Sequence, residues 1–171
     1  TIAGARLPIQ IDVGFGDVIT PEPIEIEYPA LLDAPAPILR AYPPETVVAE
    51  KTEAIVSLGI GNSRMKDFYD LWMIARTFAF ERDDLAAAIR RTFQRRRTPL
   101  PEQVPVGFSD SFALERETQW RAFLARDRLE VASASLVQVI DDLRAFLQPM
   151  LTRDEVASWP PGGPWTEVKR R

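Results

Sequence analysis

The chain has 171 residues and a formal net charge of −4, with 46% hydrophobic and 27% charged residues and neither cysteine nor histidine. That size suits one domain, or one domain with an appendage, and the near-average composition argues against general disorder. The lack of Cys and His excludes disulfides, thiol nucleophiles, zinc fingers, Ser-His-Asp triads and His-ligated metals; it leaves oxygen ligands for any metal and Asp, Glu, Lys or Tyr for any general base.

The first stretch reads as strand and loop. Ile9, Ile11 and Val13 alternate with Gln10 and Asp12, the period of a half-buried strand, and Gly14-Phe15-Gly16-Asp17 breaks it. Ile24 to Tyr28 alternates again between Pro21, Pro23 and Pro29, as an edge strand or short arm would. Five prolines between residues 29 and 44 predict an extended surface connection. Pro44 suits a first-turn proline, and a helix is expected over Glu45–Leu58, stopped by Gly59 and Gly61. Ser63 is expected to cap a second helix running to about Phe80. Further helices are expected over about Asp83–Arg96, Ser111–Arg126 and Ala134–Leu147. Thr152 to Glu155 could open a short last helix, and Pro160 to Pro164 with Lys169-Arg170-Arg171 read as a loose tail.

The fold class is therefore α+β, a small β portion followed by a helical bundle. The expected divisions are 1–42, 43–150 and 151–171. No run of about 18 apolar residues suggests a membrane span, and no basic-then-apolar leader opens the chain. The first residue is Thr1, so a fragment or a processed product is expected.

Four places could carry chemistry. Asp12 stands mid-strand opposite the isoleucines, where it is either the wet face of an antiparallel strand or a functional carboxylate. Lys51 falls about 40° from Val47 on a wheel of about 100° per residue, at the centre of an expected apolar, core-facing arc with Ala54, Leu58, Ile55 and Val48. Its ammonium either snorkels out or serves a site. Asp67 and Asp70 share a side of the second helix and could hold a cation or position a lysine, although first-turn acids also answer the helix dipole. Arg90, Arg91, Arg95, Arg96 and Arg97 end the third helix, as a phosphate-facing patch or as a solvated cap.

Three segments together resemble the nucleotidyl transferase AbiEii/AbiGii toxin family, which is similar to the DNA-polymerase-β-type nucleotidyltransferases. They are Ile11-Asp12-Val13-Gly14-Phe15-Gly16-Asp17, Tyr42-Pro43-Pro44-Glu45 through Glu50-Lys51, and Arg64-Met65-Lys66-Asp67-Phe68-Tyr69-Asp70-Leu71. The resemblance implies transfer of a nucleotide from an NTP, with Mg²⁺, to an RNA (tRNA is one candidate) or protein acceptor. It also implies a cognate antitoxin, a role in abortive infection and a cytoplasmic location. By resemblance Asp12 is a metal-holding carboxylate, and Lys51, with Arg64 and Lys66, faces nucleotide phosphates. Asp67 and Asp70, counted in the catalytic set, are the family's acidic pair, bracing Lys51 or the nucleotide. The family's Gly-Ser or Gly-Gly turn with Asp-x-Asp does not precede Asp12, because eleven residues are too few for the strand–helix–strand unit involved. The expected consequences are a C-terminal portion that is inactive alone, with an incomplete sheet whose open edge favours a homodimer. The contrasting reading is a catalytically dead helical module that binds a protein or nucleic acid.

Overall fold

The computed structural model describes residues 4, 8–9, 11, 16–30, 33–129, 135–152 and 156–167. The expected strand of residues 9–13 falls largely outside these, Asp12 included. Ile9 and Ile11 are described, and they are exposed and in no strand, against the expected buried face.

Two short strands, β1 (Ile24–Glu27) and β2 (Ile38–Ala41), form an antiparallel hairpin with Ile24 opposite Ala41 and Ile26 opposite Leu39. The proline-rich connection thus folds back on itself where a plain extended crossing was expected. Opposed residues share a face. Ile24, Ile26, Leu39 and Ala41 accordingly make one apolar face, and Ile24 and Leu39 on it remain exposed.

Five helices follow among the described residues: α1 (Pro44–Leu58), α2 (Met65–Thr77), α3 (Arg82–Arg96), α4 (Asp110–Arg126) and α5 (Leu136–Thr152). Pro44 opens α1 as expected, and Gly59 closes it with a φ of 52°, which favours glycine. Ser63 does not cap α2: no side-chain hydrogen bond caps the helix start, and the Asn62 side-chain oxygen instead accepts from the Arg64 amide at 2.8 Å in the turn that precedes it. For α4 the cap is Ser109, whose hydroxyl accepts from the Phe112 amide at 3.2 Å.

The helices bury one continuous core. Phe68, Phe112, Trp120, Phe146, Leu71 and Ile140 lie fully inside it. Phe68 stacks on Phe112 with ring centroids 5.6 Å apart, and α1 packs most closely on α3.

The C-terminal segment differs most from expectation. α5 runs past Leu147, through Pro149, to Thr152. Residues 153–155, where a last helix could have opened, lie outside the described residues. Residues 156–167 are packed, not loose, while Lys169-Arg170-Arg171 of the expected tail lie outside the described residues. Phe80, expected at the end of the second helix, instead belongs to β3 (Phe80–Glu81), which pairs with β4 (Ser158–Trp159). Trp159 Nε1 donates to the Ala75 carbonyl at 2.7 Å, and Trp165 Nε1 donates to the Phe146 carbonyl at 2.8 Å. Two indoles seated on the core hold this strap far more firmly than its proline and glycine content implies.

Candidate functional site

α1 and α2 lie side by side and bring the second and third quoted segments together. The Lys51 ammonium is 2.9 Å from Asp67 Oδ1 and 2.8 Å from Asp70 Oδ2. Arg64 Nε stands 2.8 Å from Asp67 Oδ2 as an ion pair, without the alignment of a hydrogen bond. Lys66 Nζ reaches Asp70 Oδ2 as well, so that one carboxylate oxygen serves two lysines. The Asp67 side chain is 4% exposed and the Lys51 side chain 20%.

Helical geometry explains the arrangement. Asp67 and Asp70, three apart, project from one side of α2. Phe68, Leu71 and Trp72 take its buried side, while Tyr69 lies against Trp120 and Phe123. Lys51 is not at the centre of an apolar stripe. Leu58 is exposed, and the buried face of α1 runs through Thr46, Val48, Ala49, Thr52, Glu53 and Ile55. Lys51 sits at the edge of that face, which lets it turn toward α2. The wheel misplaced the centre because Thr46, Thr52 and Glu53 are buried polar residues that hydropathy assigns to water. Glu53, which the sequence reading missed, binds Arg96 at 2.8 Å and the Thr98 hydroxyl at 2.5 Å.

Burial pulls the Lys51 ammonium down, but the hydrogen bonds it donates to Asp70 and Asp67, and their charges, outweigh it and raise its pKa above the usual 10.5. Lys51 is thus a fixed cation at neutral pH and not a general base. Three cations face two carboxylates here, leaving a net positive charge at the N-terminus of α2, a setting that suits phosphate. Beside it opens a groove of about 520 Å³ lined by Ser63, Arg64, Lys66, Asp67, Gln119 and Arg126. An ammonium has three N–H donors. Two carboxylates can engage two of them, which leaves capacity for a phosphate oxygen.

The raised pKa has a testable consequence. A cation whose folded pKa exceeds its unfolded one contributes stability that is fully present below the unfolded pKa and is lost as pH rises through the folded value. The stability difference between wild type and Lys51→Met should therefore be constant from pH 7 to about 10 and shrink above about 10.5. Denaturant unfolding at a series of alkaline pH values measures it, and a difference already vanishing at pH 8 would contradict the assignment.

The described residues do not fit a Mg²⁺ site. No three acidic side chains among them are grouped to hold a metal ion, and Asp67 and Asp70 are committed to lysine and arginine. Asp12, the expected metal carboxylate, lies outside the described residues. No helix of the described residues is long and apolar enough to cross a membrane.

A family model described as nucleotidyl transferase AbiEii toxin, type IV toxin–antitoxin system, matches residues 1–149. No curated protein and no solved structure matches the chain.

Proposed function

Because the chain belongs to the nucleotidyl transferase AbiEii toxin family, we propose that it forms the phosphate-binding side of a nucleotide-transferring toxin. The observation that supports this best is the pinning of Lys51 between Asp67 and Asp70, with Arg64 and Lys66 at the same helix start. Lys51 is the point charge for the NTP phosphates, and Arg64 and Lys66 add to it from the groove. Asp67 and Asp70 hold these cations in place and take no metal. Asp12 is the carboxylate proposed for Mg²⁺, which in this chemistry supplies Lewis-acid charge to the reacting phosphate.

The proposed acceptor is an RNA, tRNA among the candidates, or a protein. A cognate antitoxin is the partner that a type IV toxin–antitoxin family implies. The proposed setting is the cytoplasm, during abortive infection. The open apolar face of the β1–β2 hairpin supports pairing between two copies. Light scattering at micromolar concentration should then give twice the monomer mass, and a purely monomeric protein would dismiss the dimer.

Incubating the full-length protein with radiolabelled NTPs and total RNA tests transfer. Label is expected in RNA or in protein with at least one NTP, falling about 10²-fold or more in Asp12→Ala and Lys51→Met. No label with any NTP would favour the catalytically dead binding module instead. So would label indifferent to both substitutions.

A further inference from the structure

The arginine-rich end of α3 reads from sequence as a phosphate patch or a solvated cap. Three of its five arginines do neither. Arg91 Nη1 donates to Thr20 Oγ1 at 3.3 Å, and Arg95 Nε donates to the Gly16 carbonyl at 2.7 Å. Arg96 Nη2 lies 3.7 Å from Asp17 Oδ1 and 3.8 Å from Glu50 Oε1, while its Nη1 is fixed on Glu53 at 2.8 Å. At the other end of the same segment, the buried Thr46 hydroxyl both accepts from the Thr20 amide at 2.8 Å and donates to the Thr20 carbonyl at 2.9 Å.

Residues 16–20 are thus bound at several points to α1 and α3. Gly16 permits the closest approach. Its φ is +79°, and a Cβ there would stand 2.4 Å from Arg95 Nη2. Charge explains the need for Arg96. Glu50 is pushed above the usual carboxylate range, first by burial and then by Asp17, while Arg96 and Lys51 pull it back. Without Arg96 the carboxylates of Asp17 and Glu50 would repel, and the segment would lose its seat.

This binding has a direction. Glu50 immediately precedes Lys51. We propose that Arg91, Arg95 and Arg96 form a clamp that seats residues 16–20 against α1, and that Arg95 and Arg96 thereby act as positioning residues that fix this segment and Glu50 beside Lys51 for transfer. The positioning role rests on the proposed function; the clamp itself does not.

Hydrogen exchange read by mass spectrometry on peptides covering 16–20, α1 and α2 tests the clamp. Exchange of the 16–20 peptide is expected to quicken about tenfold in Arg95→Gln/Arg96→Gln and in Gly16→Ala, with α2 unchanged. The exposed Arg90→Gln should leave it as in the wild type. In the full-length protein the double variant should lower kcat about tenfold or more while the NTP KM stays within about twofold. Arg95→Lys, which keeps the charge, should recover part of that loss. Unaltered exchange at 16–20 overturns the clamp. Quickened exchange with unaltered kcat overturns the positioning role. A wild-type protein that transfers nothing overturns the proposed function and the positioning role together, and exchange still decides the clamp.

Discussion

Lys51→Met is expected to cost about 2–3 kcal/mol of folding stability, and Asp67→Leu a similar amount. Breaking a fully buried ion pair costs about 3–5 kcal/mol. Two features lower the figure here. The Lys51 side chain keeps 20% exposure, and each stranded carboxylate retains a second cation, Arg64 for Asp67 and Lys66 for Asp70. Lys51→Met/Asp67→Leu should cost less than the two singles together, with a coupling of about 1–2 kcal/mol, because the pair leaves as a unit. Denaturant unfolding of all four proteins measures the cycle, and strictly additive singles would mean the contact carries no net energy. The same four proteins separate structure from function. If Lys51 only braces α1 against α2, the double variant regains transfer along with stability. If Lys51 faces nucleotide phosphates, stability returns and transfer does not.

The second large effect is expected at Phe68→Ala. Phe68 lies between the two site carboxylates in sequence, yet its ring is fully buried, stacked on Phe112 at 5.6 Å and edge-on to Phe108 at 6.2 Å. Removing such a ring costs about 3–5 kcal/mol, part of it for the cavity left behind. Against a typical total of about 5–15 kcal/mol, that is enough to bring a domain near its threshold. Phe68→Leu, which keeps most of the volume, should cost less than half as much. Thermal unfolding checks both. A loss under about 1 kcal/mol for Phe68→Ala would mean that α2 is not seated as described. The segment Asp67-Phe68-Tyr69-Asp70 therefore divides its labour by residue: the aromatic rings fix the helix, and the acids face Lys51.

The sequence carried the helices well, because apolar spacing and the Pro and Gly signals at Pro44 and Gly59 act locally. It also carried the approach of Lys51 to Asp67 and Asp70, through the resemblance; the wheel alone placed Lys51 wrongly. What stayed hidden depends on contacts distant in the chain. Glu53 looks like a surface acid until Arg96, 43 positions on, and Thr98 arrive to pair with it. Arg91, Arg95 and Arg96 resemble a dipole cap because the groups they reach in the N-terminal segment, Thr20, Gly16 and Asp17, are more than 70 residues away. The tail resembled a loose end because two indoles, and not a run of apolar residues, anchor it.

The seating of Trp159 and Trp165 on the core also decides what light can report. The chain's four tryptophans are Trp72, Trp120, Trp159 and Trp165. All of them touch the helical body, and none precedes residue 72. Tryptophan fluorescence therefore follows the unfolding of the bundle and its C-terminal strap, and no tryptophan lies in the first 71 residues to report on them directly. Loosening of residues 16–20 from α3 is therefore read by exchange of that peptide and not by a tryptophan within it.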